Sequence, residues 1–140
     1  MRKALLGIML LLALISCPGP LYARQAGFGV SGGQWFGARA EGKVGVCELR
    51  DEWLGTVAWQ SSDGRNVLGL GVARLLPGKQ TRPLVSAAAN WDTRTGRIWE
   101  YLGGGFLWKG GSDWAVRLEL AAELETGRVG LFVSQILFLR

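Results

Sequence analysis

The sequence predicts an all-β fold: one small antiparallel up-and-down barrel of about eight strands, following an N-terminal export signal. Three observations carry this expectation. Short segments whose apolar residues recur every second position run through the chain, and turn residues separate them at regular intervals. After Arg24 nothing has the 3.6-residue period of a long amphipathic helix. At 140 residues the chain has room for a single domain.

The first element is a targeting segment rather than a strand. Arg2 and Lys3 precede an almost unbroken apolar run from Ala4 to Ile15, and Pro18 and Pro20 end it. Twelve residues are too few to span a bilayer as a helix, so residues 1–23 read as a secretory signal peptide and residues 24–140 as the single barrel domain. Cleavage after Leu21-Tyr22-Ala23 is the favoured exit. Leu14-Ile15-Ser16-Cys17 resembles a bacterial lipobox, which makes Cys17 the alternative, a lipidation site. On either route at most Cys47 remains as a free thiol, and no intramolecular disulfide is expected.

The strands follow in order. Gly27 to Ala40 holds the first, and Glu41-Gly42 turns into a second near Lys43 to Arg50. Asp51-Glu52 leads to Trp53 to Gln60, and Ser61 to Asn66 reads as a loop. Val67 to Leu76 ends at Pro77-Gly78, and Thr81 to Trp91 is followed by an Asp92 to Arg97 loop containing Thr95-Gly96. Ile98 to Lys109 ends at Gly110-Gly111-Ser112-Asp113. Trp114 to Leu124 and Val129 to Arg140 then form a hairpin around Thr126-Gly127. In the clearest strand, Trp114, Val116, Leu118, Leu120 and Ala122 alternate with Ala115, Arg117, Glu119, Ala121 and Glu123, a separation that only a period of two gives.

Composition closes off most chemistry. The chain has no His, which removes the usual general base near neutral pH and the commonest metal ligand. Ser-His and Cys-His nucleophile pairs are excluded, and one or two thiols cannot close a zinc site. No catalytic, cofactor-binding or metal-binding residue is expected, and the protein is not expected to be an enzyme. From Arg24 onward fourteen basic residues stand against eleven acidic ones, scattered rather than striped. Nucleic acid is therefore not an expected partner. Gly103-Gly104-Gly105 sits inside a strand with no helix following, so it reads as a bend or close packing rather than a phosphate loop.

Alternation alone does not say which face of a barrel points outward. Three features favour apolar side chains outside. Trp53 and Trp59 bracket one strand, Trp91 and Trp99 flank a loop, and so do Trp108 and Trp114, as expected for aromatic girdles at a membrane interface. The faces opposite the apolar ones mix small residues with charge: Arg82, Ser86, Ala88 and Asn90 on one strand, Arg117, Glu119 and Glu123 on another. Two segments, Val67 to Leu76 and Val129 to Leu139, are apolar or small on both faces.

Leu70-Gly71-Val72-Ala73-Arg74-Leu75-Leu76-Pro77-Gly78 followed by Arg82-Pro83-Leu84-Val85-Ser86-Ala87-Ala88-Ala89 resembles a strand–turn–strand unit of small OmpA-type, OmpX-like outer-membrane barrels. Gly103-Gly104-Gly105-Phe106 with Asp113 to Leu120 is similar to their penultimate hairpin, and Val129-Gly130-Leu131-Phe132-Val133 to their last strand. The resemblance implies residence in the bacterial outer membrane, lipid as the partner, and a structural or interaction role in the envelope, with no small-molecule substrate. The alternative is an exported soluble or Cys17-anchored barrel that binds a small apolar ligand. Gly33-Gln34-Trp35 resembles the opening motif of lipocalins, and Thr56-Val57-Ala58-Trp59 a strand of avidins.

Overall fold

The computed structural model describes residues 24–36, 40–62 and 65–139. The signal peptide and Cys17 lie outside the described residues. Eight strands form one closed barrel: β1 (Arg24–Trp35), β2 (Ala40–Arg50), β3 (Trp53–Ser62), β4 (Arg65–Leu75), β5 (Thr81–Asp92), β6 (Ile98–Lys109), β7 (Trp114–Glu123) and β8 (Val129–Phe138). Each pairs antiparallel with its sequence neighbour, and β1 pairs with β8 to close the sheet. Closure leaves no strand edge to aggregate. Strands of 10–12 residues match the length a tilted strand needs to cross a bilayer.

Two expected turns are strand instead. Glu41 and Gly42 lie within β2, opposite Gly33 and Gly32, and Ala40 starts β2 rather than ending the first strand. Ser61, Ser62, Arg65 and Asn66 also belong to strands, paired Ser61 with Asn66 and Ser62 with Arg65. Gly and Ser favour turns locally, but in a closed barrel both neighbours of every strand supply hydrogen bonds, and pairing overrides weak local propensity.

The connections alternate between the two ends. One end carries the short links Asp51–Glu52, Leu76–Gln80 and Gly110–Asp113, together with the start of β1 and the finish of β8. At the other end, the β5–β6 and β7–β8 loops share one design. Gly96 and Gly127 adopt φ of 71° and 69°, where a side chain would be strained. Gly96 donates its N–H to the Asp92 carbonyl at 2.8 Å, and Gly127 to the Glu123 carbonyl at 2.9 Å. The Arg97 and Arg128 amides each donate to a threonine hydroxyl two residues back, Thr95 at 3.3 Å and Thr126 at 3.2 Å. Thr-Gly-Arg is thus used twice to make the same turn.

Candidate functional site

The faces sort as the charged strands predicted. Val30, Val44, Val46, Leu102, Phe106, Leu118, Leu120 and Val133 are exposed on the outer wall. Their alternates point inward. Ser86, Asn90, Glu119 and Glu123 are buried, and Asn90 is 0% exposed. Lys43, Cys47, Thr56, Tyr101, Arg117 and Ser134 line an interior cavity. Cys47, the thiol left in the barrel domain, is therefore interior. Taking apolar surface out of water is worth about 25 cal/mol per Å², so an outer wall of this composition is unstable against water and stable against hydrocarbon.

Five of the seven tryptophans stand on that outer wall. Trp53 and Trp114 each precede a fully buried inward residue, Leu54 and Ala115, and so face out. Trp108 is exposed and stacks edge-on against Trp114 at a centroid distance of 5.1 Å. These three ring the end that carries the chain termini. Trp59 and Trp91 are exposed on the same wall near the other end, both paired with Leu68. Trp99, expected in a girdle, faces inward instead: it pairs with Asn90, and paired residues share a face. Trp35 is also interior, 6% exposed, edge-on to Tyr101 at 5.7 Å and to Phe132 at 5.0 Å.

Inside, the barrel is divided along its axis. Toward the termini an apolar plug is built from Leu49, Leu54, Leu75, Leu84, Leu107 and Phe138, with Ala73, Ala115 and Ile136. Polar groups close the mouth below it. Lys109 donates to Gln25 Oε1 at 3.2 Å and lies over the Phe138 ring, and Arg82 Nε donates to the Leu76 carbonyl at 3.0 Å.

The middle is polar. Arg117 and Glu119, two residues apart on β7, form an ion pair with side chains only 13% and 8% exposed. Ser86 donates its hydroxyl to Glu119 Oε1 at 2.5 Å, a length typical of a charge-assisted bond. Lys43 donates to Asn90 Oδ1 at 3.2 Å, with its ammonium 6.0 Å from the Tyr101 ring centre. Toward the loops, Arg97 reaches Glu123 at 3.8 Å and so links the twin turns. A buried charge is tolerable only when paired in this way.

These groups fill the lumen on the loop side of the plug. Among the described residues no cluster of His, Cys, Asp or Glu could hold a metal ion. Ser86 donates to the Glu119 carboxylate, which Arg117 also holds, and Ser31 and Ser134 pair with each other across β1 and β8, with Lys43 and Arg117 as their other neighbours. Ser61 and Ser112 lie at opposite ends of the barrel, both exposed. The apolar calyx required by the lipocalin-like alternative is not what this interior offers, because its middle is charged.

The chain is similar in structure to a de novo designed transmembrane β-barrel solved by solution NMR. The TM-score is 0.70 at 15% identity, covering 89% of this chain and 98% of that one. The fold is that of a small transmembrane β-barrel. A second designed transmembrane barrel aligns with TM-score 0.69 at 14% identity, covering 82% of this chain and 95% of the design. The N-terminal β-barrel domain of Pseudomonas aeruginosa OprF aligns at 0.61 and 17% identity, covering 82% of this chain and 97% of that domain. No protein-family model and no curated protein sequence matches the chain. The likeness thus lies in strand number, pairing and closure, and sequences only 14–17% identical reach it.

Proposed function

We propose that this chain is a small bacterial outer-membrane β-barrel with a structural or interaction role in the cell envelope and no catalytic activity. One observation carries the reading. The outer wall is largely apolar between two sets of tryptophans, with Glu48, Glu100 and Gln135 as its polar exceptions, while the Arg117–Glu119 pair and Lys43 are turned inward. A soluble barrel has the opposite arrangement, and its charges would face water. The export signal at residues 1–23 supports the same address, since a barrel bound for the outer membrane must first leave the cytoplasm.

The expected partner is membrane lipid. The loops are short, the longest described links being the five residues each of Leu76–Gln80, Thr93–Arg97 and Leu124–Arg128, which leaves little surface for a substrate site. Eight strands enclose an interior that side chains fill, so a wide pore is not expected.

Cell fractionation with unheated gel electrophoresis tests the reading. The protein should stay with the outer membrane through a high-salt wash and change mobility on boiling. Release into the soluble periplasmic fraction without detergent would overturn it.

A further inference from the structure

The interior is not uniformly filled. Between the leucine plug and the aromatic group Trp35–Tyr101–Phe132 lies a cavity of about 120 Å³. That is well above the roughly 10–15 Å³ needed to hold one water. Two buried donors that line it, Asn90 Nδ2 and Arg117 Nε, have no hydrogen-bond partner. Asn90 is wholly buried, so solvent outside the barrel does not satisfy it. An unsatisfied buried donor destabilises the fold, and an apolar guest would leave both donors without a partner. The guest must therefore carry hydrogen-bond acceptors and be small.

We infer that the lumen is a dead-ended hydrated chamber, a site for water and for solutes of a few heavy atoms that accept hydrogen bonds from Asn90 and Arg117. We further infer that the leucine plug, rather than the charged network, is what stops the barrel conducting. The layer beneath the chamber holds no polar side chain in its core: Leu54 is 0%, Leu75 and Leu107 1%, and Leu84 2% exposed. An ion crossing it would shed its hydration in an apolar constriction, whereas in the chamber polar groups replace the lost water. The two ends of the lumen thus differ in kind: the leucine plug closes one side of the chamber, and the Trp35–Tyr101–Phe132 group stands at the other.

Two measurements on the folded full-length barrel test this. In planar bilayers the native protein should give no unitary current steps. Leu54→Gly/Leu107→Gly, which opens the plug from opposite strands, should give them, and Arg117→Ala/Glu119→Ala, with the plug intact, should stay silent. The inference fails if the plug variant shows folded mobility yet stays silent, or if the native protein or the charge variant conducts.

The second measurement uses the native lumen with Cys17→Ser, so that Cys47, which lines the chamber, is the single thiol. The compact water-borne methylmercury ion should modify Cys47 in the folded barrel, while a polyethylene-glycol maleimide should react only after unfolding. A Cys47 inert to methylmercury until unfolding would mean a dry or sealed interior and would overturn the inference. Because the labelling is done on folded protein in detergent, its failure is separable from a failure of outer-membrane localisation.

Discussion

The carboxylate of Glu119 on β7 occupies the space that a side chain at Gly103 on the neighbouring strand β6 would fill. Ser86 Oγ closes the same slot, 2.7 Å from where a Cβ at Gly103 would stand. The middle of the Gly103-Gly104-Gly105 run therefore separates two different needs. Gly103 admits the buried ion pair, whereas at Gly104 an added Cβ would meet nothing nearer than the Leu84 carbonyl at 3.6 Å.

Substitution separates these two glycines. Gly103→Ala should destabilise the barrel by about 1–3 kcal/mol, the usual cost of overpacking, because Glu119 must move off Ser86 or Arg117. Gly104→Ala should leave stability nearly unchanged. Urea unfolding followed by tryptophan fluorescence measures both. Equal effects at the two positions would contradict the slot.

Breaking the ion pair from one side should cost more than removing it whole. Arg117→Met strands the Glu119 carboxylate in a buried site and should cost about 3–5 kcal/mol. Arg117→Met/Glu119→Leu should recover most of that loss. A double variant no better than the single one would mean that the pair does not carry the coupling assigned to it.

At the loop end, Asp92 sits one residue past Trp91 and caps its own turn. The Arg94 amide donates to Asp92 Oδ1 at 3.0 Å and the Thr95 amide at 3.4 Å. These backbone bonds tie the turn to the end of β5. Hydrogen-exchange protection of the Arg94 and Thr95 amides, corrected for intrinsic rates, should be clear in the native protein and low in Asp92→Ala. Protection unchanged by the substitution would contradict the cap.

Much of the fold is legible in the sequence because strand and turn are local properties. The bounds of β6 match their expected limits, and the alternation of Trp114 to Glu123 gives both faces of β7 correctly. What the sequence leaves open depends on closure. Trp91 and Trp99 flank the same loop, yet one is outside and one inside, because register pairs Trp91 with Ile98 and Trp99 with Asn90. No spacing rule fixes that register before the turn geometry is known. The interior partners are equally non-local: Ser86 and Glu119 are 33 residues apart, Lys43 and Asn90 47. Charged residues at alternate positions of β7 announce an interior polar layer by their type, but nothing local says which strand answers them. Gly33 lies where the first strand is expected, but the need for a glycine there is non-local: a side chain would run into the Phe132 ring and the Leu131 carbonyl of β8, a contact created only when the barrel closes.

The outward apolar wall is the central claim, and depth-resolved fluorescence quenching tests it most directly. Single-tryptophan variants, the others replaced by Phe, are reconstituted in bilayers whose lipids carry bromine at known acyl positions. A membrane barrel predicts that Trp59, Trp91, Trp108 and Trp114 are quenched most by bromine near the headgroups, and that Trp35 and Trp99, which face inward, are quenched weakly at every depth. Strong quenching of Trp35 with none at Trp91 or Trp108 would contradict the assignment of the faces, and no quenching at any position would contradict residence in lipid.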